Sequence, residues 1–250
     1  MIITPSNYQP EPDLLKHRNI LVTGAGDGIG REAARSFASY GATVILLGRT
    51  LSKLESVYDE IVSAGSPEPI IHGFDLKESR EEPYIELANA IATELGPLHG
   101  VLHNASILGQ RTPIENTVAS AWNEVLQVNL SSGFLLAKHL IDVMRDAEDA
   151  SLVFTSSGVG RQGRAYWGAY SVSKFGVEAL TQILADELGD TSNIRVNCIN
   201  PGGTRTAMRQ AAYPAEHPAS NPLPEALMPT YLYLIGPDSC GINGQSVDAQ

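Results

Sequence analysis

The chain has 250 residues, 43% of them hydrophobic, with 17 basic and 28 acidic side chains and a net charge of −11. That composition suits a folded chain with a large core and excludes a disordered one. A net negative surface also argues against general binding to nucleic acid or to an anionic membrane.

Residues 1–13, with Pro5, Pro10 and Pro12, read as an extended arm and lack the basic-then-apolar pattern of a secretory signal. A buried-strand pattern at 19–23 runs straight into a glycine-rich turn, and a helical apolar stripe covers 31–40. Strands are expected at 43–47, 70–74, 100–103, 151–155, 194–199 and near 245–247. Helices are expected at 51–64, 83–94, 121–146 (one or two), 170–188 and 225–235. Pro83 suits the first turn of its helix. Residues 205–224, holding Pro214, Pro218, Pro222 and Pro224, read as a long loop. Strand and helix alternate throughout, which predicts one α/β domain over 1–250: a doubly wound parallel sheet of about seven strands, with helices on both faces.

Cys198 and Cys240 make no Cys-x-x-Cys pair, so a reducing compartment is the simpler expectation. No run approaches 18 apolar residues, so no membrane span is predicted and a cytoplasmic location is expected. His103 and His139 show no metal-ligand spacing, and no metal is expected.

Gly24, Gly28 and Gly30 follow a strand and open a helix. Their Gly-x-x-x-Gly-x-Gly spacing differs from Gly-x-Gly-x-x-Gly, but the physics is shared. Glycines let backbone approach a pyrophosphate, whose charge sits at the helix N-terminus. Without a following Gly-Lys-Ser/Thr, a nucleotide-hydrolysing P-loop is not indicated. At the end of the second strand a carboxylate would hold a ribose 2′-OH, whereas an Arg accommodates a 2′-phosphate. Gly48 stands at the carboxylate position and Arg49 follows, which favours NADP(H) over NAD(H). Asp27, inside the turn, is the residue that would oppose that phosphate.

Tyr170 and Lys174 lie at i and i+4, on one helix face. An ammonium beside a phenol favours the phenolate and lowers the Tyr pKa, making it fit to exchange a proton with a carbonyl/alcohol pair. Composition alone yields about 0.2 Tyr-x-x-x-Lys pairs in such a chain, so the pair gains meaning from its neighbours.

Those neighbours are Thr23-Gly-Ala-Gly-Asp-Gly-Ile-Gly30, Asn104-Ala105, Asn129, Ser157 and Pro201-Gly202. In order and spacing, over nearly the whole chain, the set resembles the short-chain dehydrogenase/reductase family. The runs 154–164 and 195–208 resemble its YciK-like bacterial oxidoreductases. The resemblance implies that Tyr170 is the general acid in reduction and that Lys174 tunes it and holds the nicotinamide ribose. It implies that Ser157 orients the substrate oxygen and that Asn129 carries a water relaying protons to Lys174. It assigns cofactor contacts to Gly24, Asp27, Gly28, Ile29, Gly30, Arg49, Asp75, Leu76, Asn104, Ala105, Tyr170, Lys174, Pro201, Gly202, Thr204 and Thr206. It also implies a homodimer or homotetramer built on the long helices. The chain departs from the family at His103 and Ser106, where Asn-Asn-Ala-Gly reads His-Asn-Ala-Ser, and at Val247-Asp-Ala-Gln250, which lacks Asp-Gly-Gly.

The expected activity is reversible reduction of a ketone or aldehyde, with a small-molecule carbonyl/alcohol as partner. Arg49, Arg111, Arg161, Arg164, Arg205 and Arg209 fall in loops at the ligand end of the sheet, six of the chain's twelve arginines. Beyond Arg49 they are candidates to clamp an anionic substrate, or else pair with local acids. Tyr166, Trp167 and Tyr213 are candidates for a flat apolar wall, and 205–224 for a lid. The alternatives are an NADP-binding redox sensor or scaffold, which the complete Ser/Tyr/Lys/Asn set disfavours, and a methyltransferase, which Gly48-Arg49 disfavours.

Overall fold

Short apolar runs with no polar face build strands buried on both sides. In the computed structural model, which describes residues 7–250, they form β1 (Asn19–Thr23), β2 (Thr43–Gly48), β3 (Ile70–Gly73), β4 (Gly100–His103), β5 (Ala150–Thr155), β6 (Ile194–Asn200) and β7 (Ser246–Asp248). All pair in parallel in the order β3-β2-β1-β4-β5-β6-β7. β1 is flanked by β2 (Leu21 opposite Ile45) and by β4 (Leu21 opposite Val101), so the winding reverses beside its carboxyl end. In such sheets ligands bind at that crevice.

One face is covered by α1 (Gly28–Ser39), α2 (Leu51–Ser63) and α8 (Met228–Ile235), which bury Phe37, Val57 and Leu232 against Val22, Leu46 and Val153. The other is covered by α3 (Glu82–Glu94), α5 (Ser132–Arg145) and α6 (Gly168–Gly189), whose Tyr84, Leu140 and Val177 join Leu21, Leu152 and Phe154. Each large side chain buried in this way contributes about 1.5–3 kcal/mol.

Two expected elements change form. The 121–146 segment divides into α4 (Ala119–Leu126), a π-helical turn (Gln127–Ser131) and α5. The expected loop at 205–224 contains α7 (Ala207–Ala212), N-capped by the Thr206 hydroxyl, which accepts from Arg209 N at 3.1 Å. Only Ala212 of that helix is buried, so it carries no apolar stripe for periodicity to detect. Of the expected arm, residues 1–6 lie outside the described residues. Tyr8 packs edge-on against Tyr233, and its hydroxyl donates to Asp238 at 2.7 Å. Among the described residues no helix is long and apolar enough to cross a membrane, and no group of three His, Cys, Asp or Glu could hold a metal.

Candidate active site

A cavity of about 510 Å³ opens at the carboxyl ends of the strands. Its floor is glycine for steric reasons. Gly24 has φ +68°, and a Cβ there would lie 3.1 Å from Ala105 Cα. A Cβ on Gly30 would sit 2.2 Å from the Gly24 carbonyl oxygen and 2.7 Å from Asn104 Nδ2, so only glycine lets α1 approach the strand end. Thr23 Oγ1 accepts from the backbone of both Asn104 and Ala105 at 3.0 Å, tying the β1 and β4 ends together.

Of the sequence-predicted cofactor residues, Gly24, Asp27, Gly28, Ile29, Asn104 and Ala105 line one side of the cavity. Arg49, Asp75 and Leu76 line its outer end, and Tyr170, Pro201, Gly202, Thr204 and Thr206 its inner end. Gly30 and Lys174 stand behind the wall. Asp75 is no helix cap, since α3 begins at Glu82; its carboxylate accepts from Lys77 N at 3.1 Å in a local turn.

The charge at the outer end differs from the sequence expectation. Asp27 N-caps α1, accepting from Gly28 N at 2.7 Å, and its other oxygen pairs with Lys53. The Lys53 ammonium, with the cap and Arg31 adding to it, holds the Asp27 carboxyl below its ordinary range. In this structure Asp27 is thus paired with Lys53 at the cavity's outer end. Lys53, which also lines the cavity, went unread in the sequence; its spacing of four from Arg49 was the available signal.

At the inner end, α6 presents Tyr170, 9% exposed, and Lys174, 1% exposed. Burial pushes the Tyr170 phenol up to about 12, opposed by the adjacent Ser157 hydroxyl. Lys174 is pushed down to about 8 by desolvation, donates to the Thr155 carbonyl at 2.6 Å and lies 5.6 Å from the Tyr170 ring centroid. Burial raises the phenol and the Ser157 hydroxyl lowers it; Lys174, expected to lower it, is not among the influences on it. Gly160 permits this packing, because a Cβ there would lie 2.8 Å from Lys174 Cβ.

Asn129 sits in the π turn, fully buried. Its Oδ1 accepts from Ile107 N at 2.8 Å, and its Nδ2 donates to Ile107 O at 3.0 Å and Ser173 Oγ at 3.1 Å. Both amide hydrogens are spent bracing the loop after β4 against α6. A π turn at such a position is a common device of functional sites.

The side of the cavity next to the 205–224 segment is aromatic. Trp167 stands 5.6 Å from the Tyr170 ring and 5.9 Å from Tyr213, making a continuous strip, while Tyr166 is 56% exposed and takes no part. Arg111 lies 4.4 Å over Trp167 and 5.1 Å from the Tyr213 ring, and donates to the Ala212 carbonyl. Arg209 stacks on Tyr213 at 4.0 Å and is gripped twice by Glu216 at 2.6 Å. Arg161 pairs with Asp248 at 2.7 Å, and Arg205 donates to the carbonyls of Pro218 and Asn221. The arginines expected as an anion clamp are therefore largely engaged by the protein itself.

The family model for short chain dehydrogenases matches residues 18–217, and the chain belongs to that family of oxidoreductases. It is 50% identical over 244 residues to the uncharacterised oxidoreductase YciK of Escherichia coli K12, covering 98% of this chain and 96% of that one. A short-chain dehydrogenase structure from Shigella flexneri, complexed with NADP, is 48% identical, with a TM-score of 0.93 over 96% of this chain and all of its own. One from Escherichia coli CFT073, complexed with NADPH, is 49% identical with the same TM-score and coverage.

Proposed function

We propose that this protein reduces an uncharged ketone or aldehyde reversibly, using NADP(H), with Tyr170 as the proton donor. The observation that carries the reading is a buried phenol beside Ser157 at the inner end of a cleft floored by Gly24 and Gly30, where a side chain would collide. The residues fit a dinucleotide. The α1 N-terminus and Gly24–Gly30 suit a pyrophosphate, Gly48 offers no carboxylate to a ribose, and Arg49 faces the cavity without an ion pair among the described residues. When bound, the nicotinamide supplies hydride.

The chain's own groups manage the rest. Ser157 donates to the carbonyl oxygen and holds it against Tyr170. The phenol gives its proton as negative charge develops there. Lys174 places a positive charge behind Tyr170, which steadies the phenolate left after transfer. Asn129 fixes the loop that carries Ile107; any relay water must use its remaining acceptors, since its side-chain donors are occupied. The apolar cluster of Val159, Trp167, Tyr170 and Ala212, with Leu108 and Met208, favours an uncharged substrate against the lid.

NADPH oxidation with matched substrates, benzaldehyde and 4-carboxybenzaldehyde, tests this reading. It expects kcat/KM at least tenfold higher for the neutral one; a preference for the carboxylate would return the arginines to a substrate role. Self-association is proposed through α5 and α6, whose Phe134, Val172, Phe175 and Ile183 are 44–53% exposed.

A further inference from the structure

Gly26 is the one glycine of the turn that neither the strand–helix approach nor a positive φ explains. What it does accommodate is Lys53. A Cβ on Gly26 would lie 2.9 Å from Lys53 Cβ and 3.6 Å from its backbone carbon. The turn is thus shaped to let the first turn of α2 close against it. There the Lys53 side chain, 53% exposed, meets the Asp27 carboxylate, 60% exposed.

Both line the cavity's outer end together with Gly48, Arg49 and Thr50. Two cations and one carboxylate consequently share the place where a dinucleotide's ribose 2′-substituent is expected. The carboxylate is also held by the α1 N-terminus, through Gly28 N, whereas the lysine has no second partner among the described residues. An exposed ion pair is weak and gives way to a stronger competitor. A phosphate dianion, accepting charge-assisted hydrogen bonds, is such a competitor.

We propose that Lys53 is a second determinant of NADP(H) selectivity, exchanging Asp27 for the 2′-phosphate and so adding to Arg49 a cation that NAD(H) cannot use. The inference rests on the NADP reading above. Asp27 keeps its capping bond throughout, and its charge is what makes Lys53 wait at the right place. Selectivity then depends on three groups, Arg49, Lys53 and Asp27, held in register by the missing side chain at Gly26.

The test is calorimetric titration of NADPH and NADH into wild type, Lys53→Met, Asp27→Asn and the double variant. Lys53 is half-exposed, so its substitution leaves the core intact, and Lys53→Arg serves as the conservative control. Lys53→Met is expected to weaken NADPH at least tenfold, equivalent to about 1.4 kcal/mol, and NADH less than twofold; Lys53→Arg restores most of the loss. The double variant is expected to keep the NADPH deficit. If Asp27→Asn abolishes the deficit, Lys53 only screens Asp27 and the proposed phosphate contact is overturned. A wild-type NADPH preference that survives Lys53→Met overturns this inference alone. A wild type with no preference for NADPH overturns the cofactor reading, and this inference with it.

Discussion

His103 stands where the family's usual sequence has Asn, and its ring is 2% exposed, tilted against Phe154 and 3.0 Å from Ser132 Oγ. Ser132 donates to Val128 O, so its oxygen accepts from His103 Nε2–H. Desolvation, with the Lys174 charge adding to it, pushes His103 down to about 3. The unfolded chain takes up a proton near pH 6.5 and the folded one does not, so stability is full above 6.5 and falls as pH drops toward 3. Between pH 7 and pH 5 the loss from this one group is about 2 kcal/mol. Urea unfolding of wild type and His103→Asn at both values measures it: the variant should show a shallower acid loss, and equal slopes would place the acid sensitivity elsewhere. Gly30 is a second single-residue test. Its Cβ would be forced within 2.2 Å of a backbone oxygen, so Gly30→Ala should cost about 1–3 kcal/mol. It should also weaken NADPH binding in calorimetry by more than the stability loss explains.

α7 lines the cavity through Met208 and Ala212, with its N-cap Thr206 beside them. Arg111 joins it to the loop after β4 and to α6, through Trp167, Tyr213 and the Ala212 carbonyl. Arg111→Ala should therefore free the segment: chymotryptic cleavage near Tyr213 should quicken, and KM should rise more than kcat falls. Unchanged cleavage would show that Arg209 and Glu216 hold the segment without it. α7 was also the least legible element. The four prolines at 214–224 mark a loop, and six residues with one buried alanine give no periodic signal. The π turn was hidden for a related reason. The apolar pattern over 121–146 is continuous, and the π turn shows only in the backbone of Gln127–Ser131. By contrast α2, α3 and α6 were legible to within about two residues, since each has a wide apolar stripe and a glycine or proline at an end.

For the molecule as a whole, alternation of buried strands with amphipathic helices was enough to predict the parallel sheet, because continuous apolar strands need helices on both faces. The site residues were legible as motifs but not as energetics. The spacing of Tyr170 and Lys174 foretold their shared face, whereas the rise of the buried phenol depends on how deeply α6 is packed. Likewise Arg161 and Arg209 fell in the right loops, yet their acids, Asp248 and Glu216, are separated from them by packing and by a turn. The outer faces of α5 and α6 set a prediction at this scale. Phe175→Glu should shift sedimentation toward the monomer, while an unchanged wild-type mass at monomer size would leave those side chains merely exposed. The central claim is that Tyr170 supplies the proton. It is tested most directly by NADPH-dependent carbonyl reduction and NADPH binding in Tyr170→Phe. The account predicts turnover reduced at least 10²-fold with NADPH affinity nearly unchanged; turnover close to wild type would contradict it.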